Sequence, residues 1–295
     1  MEDKVKRYLE RIEDSGGTEP TLENLVALQK AHFTHVPYEN LDIYYGHEFT
    51  LAVEDVYDKI VNKHRGGYCF ELNGLYGWLL KQLGYETEEY FGRWLFGEPL
   101  AVPLRRHRVI KVFLPEGEFI SDVGIGCQAP LVPFKCVLDE PQDLSGRMYR
   151  IVADPVHGKI IQVVNGAASR NYFSFDEAPQ QPIDFMYAHY WCAHHPDSPF
   201  TGKLMVHVPT EYGRNSIASV VNQETGMILP ELSESLADGT SRRTFLFGKE
   251  QLLDALSTYF GIHYAPNAEQ AIFLARKSCS VIRNILEWNV MALSS

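Results

Sequence analysis

The sequence of 295 residues lacks long apolar runs and has few cysteines. No uncharged apolar stretch approaches the roughly 18 residues that a membrane span requires. The first residues, MEDKVKRYLERIED, are charged throughout, which is unlike a secretory signal. The five cysteines are odd in number and scattered, as in proteins that keep free thiols in a reducing compartment. We therefore predict a soluble, cytoplasmic protein that does not enter a membrane.

A net positive charge is also absent. The formal net charge is −11 at pH 7, whereas binding to nucleic acid phosphates requires a basic face. Nucleic acid is therefore not an expected partner, although a small anionic ligand remains compatible with a local basic patch. One such segment, residues 93–111, contains a single acidic residue, Glu98. Its basic residues are Arg93, Arg105, Arg106, Arg108 and Lys111.

The spacing of apolar residues predicts helices in the first part of the chain and strands after them. Helical spacing occurs at Val5–Ile12, Leu22–Leu28, Val56–Val61 and Leu72–Leu83. Runs rich in β-branched and aromatic residues predict strands at Glu89–Phe96, Arg108–Leu114, Phe119–Val123, Met148–Ala153, Ile160–Val164, Leu204–Val208 and Thr244–Phe247. Two more helices are predicted at Lys249–Tyr259 and Asn267–Leu274. This order of elements indicates an α+β architecture.

The most informative segment is HRGGYCFELNGLYGWLL, residues 64–80. Gly66 and Gly67 interrupt regular structure, and the helical spacing of apolar residues begins directly after Cys69. Cys69 is therefore predicted in the first turn of a helix, where the helix dipole and unpaired N–H groups favour the thiolate. The alternative is a buried structural cysteine, and these residues alone favour neither interpretation.

A thiolate nucleophile requires a base and usually a third group that orients this base. His107 precedes the apolar run VIKVFL, Asp122 follows FIS, and residues 115–117 indicate a turn between them, so a β-hairpin is predicted. A two-residue loop places Asp122 opposite Val109 and on the face of His107, whereas a three-residue loop with a glycine bulge places the two side chains on opposite faces. The turn residues fit either loop. Without the cysteine, a surface histidine and a turn-capping aspartate are the simpler interpretation.

Five segments together resemble the arylamine N-acetyltransferases. RGGYCFELN (65–73) resembles that family's signature around its catalytic cysteine, and PYENLD (37–42) resembles its P-F-E-N-L segment. RHRVIKVFL (106–114) contains the histidine, and SDVGIG (121–126) resembles the D-V-G-F-G segment that contains the aspartate. HPDSPFTGKL (195–204) resembles a later family pattern. Each match alone is weak, but five in the family's order form a specific resemblance.

The resemblance implies a three-part fold. Residues 1–87 would form a helical bundle carrying the nucleophile, residues 88–204 a β-barrel carrying the histidine and the aspartate, and residues 205–295 an α/β lid. It also implies a cysteine-protease-like triad of Cys69, His107 and Asp122, and hence a hairpin that places the last two on a shared face.

The function implied by the resemblance is ping-pong acyl transfer. An acetyl group, or a malonyl or propionyl group, would pass from acyl-CoA through a Cys69 thioester to an arylamine, arylhydrazine or arylhydroxylamine. Acetyl-CoA or another acyl-CoA is then a co-substrate, and no tightly bound cofactor or obligatory protein partner is expected.

Further residues receive roles from the matched motifs. Arg65 is expected to pair with Glu39 as structural support. The candidate substrate-binding residues are Tyr38, Tyr68, Gly124, Ile125 and Gly126. The family commonly has phenylalanine at the position of Ile125 and at that of Tyr38, so Ile125 lacks a ring for stacking on the acceptor. Cys127 stands where a glycine is frequent.

Two features have no support from the family motifs. Arg105 and Arg106 flank the proposed base, and three interpretations stay open. They form a solvated basic loop, or they bind CoA phosphates, since guanidinium groups bind phosphate bidentately. In the third interpretation one of them binds a carboxylate on the acyl group, which would make malonyl-CoA a donor. Histidines and a cysteine cluster at His189, Cys192, His194 and His195. Their spacing lacks the paired arrangement of structural zinc sites, and no metal is expected.

Two other functions are compatible with these residues. A thiol hydrolase or transglutaminase-like enzyme uses the same three residue types for amide chemistry. A non-catalytic homologue would bind ligands without reacting. Dependence on a CoA thioester distinguishes the transferase from the hydrolase, and the reactivity of Cys69 distinguishes an enzyme from a silent homologue.

Overall fold

A computed structural model of the chain describes residues 2–14, 16–98, 100, 102–126 and 130–264. The α-helices within these ranges are α1 (Glu2–Arg11), α2 (Leu22–His35), α3 (Leu41–Tyr45), α4 (Val53–Tyr57), α5 (Cys69–Gln82), α6 (Met186–His194), α7 (Pro199–Gly202) and α8 (Gly248–Phe260). A π-helical segment, Asp58–Asn62, continues α4, and a 3-10 helix, Pro182–Phe185, precedes α6. The helices predicted at residues 5–12, 22–28, 72–83 and 249–259 are confirmed, as they correspond to α1, α2, α5 and α8.

The strands of the described ranges form two antiparallel sheets. They are β1 (Tyr38–Glu39), β2 (Glu86–Trp94), β3 (Arg105–Leu114), β4 (Gly117–Ile120), β5 (Phe134–Lys135), β6 (Gln142–Leu144), β7 (Arg147–Asp154), β8 (Gly158–Asn165), β9 (Ala168–Phe175), β10 (Met205–Thr210), β11 (Gly213–Val221), β12 (Ile228–Ser235) and β13 (Ser241–Phe245). Strands β1, β5, β6, β9, β11 and β12 were not predicted, and the strand predicted at residues 244–247 lies instead at β13.

The chain divides into two compact units, and each unit combines two separate stretches of sequence. The first unit contains residues 1–35 and 69–189, and the second contains residues 36–68 and 190–295. The helices of the first 87 residues are therefore shared between the units. The boundaries at residues 87 and 204, and the role of the C-terminal part as a lid, stay predictions.

The sheet of the first unit has eight strands in the order β5-β4-β3-β2-β9-β8-β7-β6. Its two edge strands are joined by the side chain of Gln142. The backbone N–H of Lys135 donates to Gln142 Oε1, and Gln142 Nε2 donates to the carbonyl of Lys135, both at 2.9 Å. The sheet is therefore a nearly closed barrel, and the predicted mixed fold with a barrel in the middle of the chain is confirmed.

The second unit contains a five-stranded sheet in the order β1-β10-β11-β12-β13. Helix α8 packs its apolar face into the core of this unit, with Leu252, Ala255, Leu256 and Phe260 buried beside Ile217 of β11. These helix positions are spaced three and four residues apart, as an amphipathic helix requires. The helix predicted at Asn267–Leu274 lies outside the described residues. No helix of the described ranges is both long and apolar enough to span a bilayer.

The core of the first unit contains a histidine whose ring makes no hydrogen bond to the described residues. His32 of α2 is fully buried, and its ring centroid lies 5.9 Å from that of Tyr8 and 5.5 Å from that of Tyr76. Neither ring nitrogen has a hydrogen-bond partner among the described residues. Burial lowers the pKa of His32 to about 3, and the positive charges of Arg11 and His35 act in the same direction. The ring of His32 therefore stays neutral in the folded state between about pH 3 and pH 6.5, whereas in the unfolded chain it is protonated below about pH 6.5.

Stability should consequently fall as the pH drops below 6.5, and replacing His32 should reduce this loss. His32 should lower the free energy of unfolding by about 2 kcal/mol at pH 5 relative to pH 8, because its ring is protonated at pH 5 only in the unfolded chain. We expect His32→Leu to lack this decrease. Urea unfolding of both proteins at pH 8 and pH 5 measures it, since other titrating groups cancel in the difference. Equal changes in the free energy of unfolding for both proteins would contradict this account.

Candidate active site

The segment before Cys69 is held in an extended conformation by strand β1. The N–H of Glu39 donates to the carbonyl of Gly67 at 2.9 Å, and the N–H of Gly67 lies 3.3 Å from the carbonyl of Pro37. A side chain at Gly66 would collide with that same Pro37 oxygen, so this position requires glycine. Residues 66 and 67 are therefore fixed against residues 37–39 within the second unit.

Cys69 is the first residue of helix α5, as the sequence predicts. Its side chain is almost fully buried, with 3% of the residue exposed. Sγ lies 3.5 Å from the carbonyl oxygen of Arg106, at the start of β3. The positive end of the helix dipole acts on the sulfur and favours the thiolate, whereas burial of the sulfur opposes it.

The hairpin of β3 and β4 has the two-residue loop. Leu114 pairs with Gly117, and the register runs to Lys111 opposite Ile120. Beyond the strand, the N–H of Ser121 donates to the carbonyl of Ile110 at 3.0 Å. The same register places Asp122 next to Val109, so the three-residue loop with opposite faces is wrong for this chain.

His107 and Asp122 form a buried ion pair in the first unit. His107 Nε2 lies 2.6 Å from Asp122 Oδ2, and both residues are less than 5% exposed. The ring of His107 also packs edge-on against the ring of Phe173, with centroids 5.3 Å apart. Burial disfavours the charged ring, but the carboxylate of Asp122 and hydrogen bonding to the sulfur of Cys69 outweigh burial and raise the pKa of His107 to about 10. The three candidate catalytic side chains thus lie together, with Nδ1 as the ring nitrogen left for the sulfur.

The second oxygen of Asp122 is bound by residues that sequence reasoning did not assign. Asn73 Nδ2 donates to Asp122 Oδ1 at 2.7 Å, and the N–H of Gly124 donates to the same oxygen at 2.8 Å. Asn73 follows Cys69 by four residues, which is one helical turn, so both side chains lie on the same face of α5. That spacing is the signal in the sequence by which Asn73 could have been found.

Gly124 lies directly against the cysteine. A side chain carbon at Gly124 would lie 2.8 Å from Cys69 Cα, a distance that real atoms do not adopt. Ile125 is buried, and Gly126 is half-buried. Gly124 therefore places backbone rather than a side chain against the candidate nucleophile, while Cys127 lies outside the described residues.

The two tyrosines of the predicted acceptor pocket belong to the second unit. Tyr68 is fully buried, and its ring centroid lies 6.3 Å from that of Phe49 and 5.5 Å from that of Phe200. Tyr38 of β1 is half-buried, and its ring centroid lies 5.7 Å from that of His207. Tyr68 is therefore a packing residue of its unit as well as the neighbour of Cys69 in the chain.

Arg65 lies in a compact group of four charges in the second unit. Its Nε donates to Glu39 Oε1 at 2.9 Å, and its Nη2 lies 3.1 Å from Asp42 Oδ1. Lys59 Nζ lies 2.7 Å from Asp42 Oδ2. Burial disfavours the charge on Arg65, but the two carboxylates outweigh it and raise its pKa above the ordinary value. The ring of Tyr264 covers the guanidinium, with Cζ 4.8 Å from the ring centroid.

Arg105 and Arg106 already have carboxylate partners. Arg105 Nη2 lies 2.7 Å from Asp176 Oδ2, and half of the Arg105 side chain is exposed. Arg106 pairs with Glu98, and both of these side chains are largely buried. An anionic ligand would therefore have to exchange with these carboxylates. Among the described residues, no group of three histidine, cysteine or acidic side chains is arranged to hold a metal ion.

Comparison with known proteins gives one consistent result. A family model described as N-acetyltransferase matches residues 21–269. The arylamine N-acetyltransferase of Escherichia coli (strain K12) is 33% identical over 207 residues, which are 70% of this chain and 73% of that protein.

Solved structures agree with this result. The arylamine N-acetyltransferase of Salmonella typhimurium superposes with a TM-score of 0.80 at 26% identity, covering 92% of this chain and 98% of that one. The Mycobacterium marinum arylamine N-acetyltransferase in complex with CoA superposes with a TM-score of 0.78 at 27% identity, covering 91% and 98% of the two chains. The chain therefore belongs to the arylamine N-acetyltransferase family and is an acyltransferase.

Proposed function

We propose that the chain transfers an acyl group, in the first instance acetyl, from acyl-CoA to an aromatic amine through a thioester on Cys69. The observation that carries this proposal is the contact of 2.6 Å between His107 and Asp122 beside a thiol at the start of a helix. The solved relative in complex with CoA supports the donor class. The names of the relatives support an arylamine as the acceptor.

In the first half-reaction, the Cys69 thiolate attacks the carbonyl carbon of the thioester. A bond forms between this carbon and Sγ, the bond to the CoA sulfur breaks, and the His107 imidazolium gives its proton to the leaving CoA thiolate. Backbone N–H groups at the start of α5, including that of Cys69, stabilise the oxyanion of the tetrahedral intermediate. The products are free CoA, acylated Cys69 and neutral His107.

In the second half-reaction, the amine nitrogen attacks the acyl carbon on Cys69. His107, now neutral, takes a proton from this nitrogen, and the bond to Sγ breaks. The thiolate and the imidazolium are restored, so no proton is gained or lost over the cycle. Asp122 holds the ring with Nδ1 towards the sulfur and stabilises its positive charge.

The remaining predicted site residues take part in binding. We propose that Tyr38, Tyr68 and Ile125 contact the aromatic acceptor, and that the glycines at 124 and 126 let it approach the sulfur. A ring is missing at Ile125, so the acceptor packs there on an aliphatic surface. We also propose that Arg105 and Arg106 bind anionic groups of the acyl-CoA in exchange for Asp176 and Glu98.

Intact mass measurement should detect the acyl-enzyme directly. After mixing with acetyl-CoA in the absence of an amine, the protein should gain one acetyl group, because the thioester has no acceptor. An added arylamine should remove it. Cys69→Ser should gain nothing, whereas Cys192→Ser, which replaces another buried free thiol, should be acylated like the wild type. No adduct on folded protein with a free Cys69 thiol would favour the hydrolase or the non-catalytic homologue.

The pH dependence of Cys69 alkylation should reveal the proposed ion pair. Because imidazolium beside the sulfur favours the thiolate, the rate with iodoacetamide should stay high below the ordinary thiol pKa of about 8.5. Asp122→Asn removes the negative charge that counteracts the effect of burial on the pKa of His107. The pKa of His107 should therefore fall. The ion pair is then lost at pH 6–7, and alkylation there should slow by at least about tenfold, which is one pKa unit.

Peptide mass spectrometry distinguishes Cys69 from the other cysteines. Asp154→Asn is the matched control, since Asp154 caps an exposed turn after β7 and should leave the profile unchanged. A wild-type rate that rises only around pH 8.5 would contradict the ion pair.

The role of Arg105 can be tested with two donors. Arg105→Ala should raise the KM for acetyl-CoA and for malonyl-CoA alike by about fivefold, as expected for the loss of roughly 1 kcal/mol from one partly exposed charge pair. Arg170→Ala, at an exposed position on β9, is the control. An effect on malonyl-CoA alone would indicate that Arg105 binds the acyl carboxylate, and unchanged KM values would exclude both roles.

A further inference from the structure

Asn73 uses its entire amide to join helix α5 to the hairpin. The residue is fully buried. Nδ2 donates to the carbonyl of Arg108 at 2.5 Å and to Asp122 Oδ1 at 2.7 Å. Oδ1 accepts the N–H of Val123 at 2.9 Å. One side chain therefore fixes the residue after His107, the carboxylate of Asp122 and the residue after Asp122.

Arg108 makes the reverse connection, from β3 to the backbone of α5. Its Nη1 donates to the carbonyl of Phe70 at 3.3 Å, and its Nε donates to Glu89 Oε2 at 2.6 Å. Its Cζ lies 4.5 Å from the ring centroid of Phe185. Because Glu89 of β2 balances its charge, Arg108 can lie 4% exposed beside the first turn of the helix.

Glycine at position 74 makes room for this guanidinium. A side chain carbon at Gly74 would collide with Arg108 Nη1. On helix α5, Asn73 therefore donates to strand β3. The adjacent Gly74 leaves the space that the guanidinium of Arg108 occupies. Each element thus binds the backbone of the other, which fixes both the distance and the rotation between them.

These contacts bear on the chemistry because Cys69 lies on α5 whereas His107 and Asp122 lie on the hairpin. If the side chain of Asn73 is removed, Asp122 Oδ1 loses one of these hydrogen bonds and keeps the one from the N–H of Gly124. The carboxylate is then less constrained, and its contact with His107 Nε2 weakens. The imidazolium, which depends on Asp122, loses stabilisation, and the thiolate loses its counter-ion.

We propose that Asn73 and Arg108 form a reciprocal clamp that positions His107 and Asp122 against Cys69, and that both are positioning residues for the acyl transfer. This inference rests on the proposed function of the same site. It assigns Asn73 a role in orienting Asp122 and assigns the buried Arg108–Glu89 pair a role in fixing β3 on α5.

The chain contains a close control for Asn73. Asn40 is also buried, donates to the carbonyls of Phe200 and Lys203 at 2.9 and 2.7 Å, and accepts the N–H of Met205 at 2.8 Å. It therefore has the same residue type and the same pattern of three hydrogen bonds, but these partners all belong to the second unit and include neither His107 nor Asp122. Asn40→Ala should destabilise the fold without changing the charge state of Cys69.

The experiment measures Cys69 alkylation by iodoacetamide against pH for the wild type, Asn73→Ala, Asn40→Ala and Arg108→Lys, each checked by circular dichroism. We expect Asn73→Ala to move the midpoint of the acidic limb upward by about one pH unit, so that alkylation about one pH unit or more below the wild-type midpoint slows by up to about tenfold. Asn40→Ala should keep the wild-type midpoint even if its Tm falls. Arg108→Lys keeps the positive charge near Glu89 but loses the planar guanidinium, and should shift the midpoint in the same direction by a smaller amount.

The outcomes distinguish this inference from the proposed function. A wild-type midpoint well below pH 8.5 that Asn73→Ala and Arg108→Lys both leave unchanged would overturn the clamp alone. An equal shift in Asn40→Ala would also overturn it, because the effect would then be general loosening. A wild-type midpoint near pH 8.5, together with no acyl adduct, would overturn the proposed function and the clamp with it. If Asn73→Ala does not fold, the shift in Arg108→Lys decides.

Discussion

The carboxylate of Asp122 is the constraint on which the first unit depends. A buried carboxylate is costly unless hydrogen-bond donors surround it. Its donors are the ring of His107, the amide of Asn73 and the backbone N–H of Gly124. They come from β3, from α5 and from the segment after β4, so a single group requires three elements to meet. The two-residue hairpin loop, the absence of a side chain at Gly124 and the spacing of Asn73 after Cys69 all follow from this requirement.

The sequence predicts those elements whose signals are local. Helix α5 begins at Cys69 because two glycines end the preceding structure and a helical apolar pattern follows, and both signals lie within a few residues. Strand β9 was missed for the opposite reason. Its first four residues, 168–171, are exposed and mostly polar, and only pairing with β8 makes them part of a strand. Likewise, the motif of Arg65–Gly67 is local, but its pairing with β1 depends on residues distant in the chain.

The candidate site shows the same limit. Cys69, His107 and Asp122 were identified by motifs, because each motif keeps its residue types at a fixed spacing. The register that brings His107 and Asp122 together could not be derived from Pro115 and Glu116, since these residues fit either loop. Nor could the pairing of Arg108 with Glu89 be derived, because alternate residues of a strand are assigned to a face only after the neighbouring strand is known. The sequence analysis counted Arg108 in the basic segment 93–111 that is compatible with a small anionic ligand, yet Arg108 is buried.

The neutral character of the donors around Asp122 matters for the proposed chemistry. An arginine or lysine at position 73 would also satisfy Oδ1, but its charge would cancel the effect of the carboxylate on His107. Asn73 and Gly124 hold the carboxylate without cancelling its charge. Burial alone lowers the pKa of His107, so its rise to about 10 depends on Asp122 and on the sulfur of Cys69.

In the mechanism that we propose, the effect of the Cys69 sulfur on the pKa of His107 differs between the two half-reactions. While Cys69 is a thiolate, its charge helps to keep the ring protonated, and the ring in turn stabilises the thiolate. Acylation of Cys69, as proposed, would convert the sulfur to a neutral thioester and remove one of the causes that raise the pKa of His107. In the proposed mechanism the imidazolium would thus become a stronger acid as the CoA sulfur leaves, and after giving up its proton the ring would be neutral when the amine requires a base.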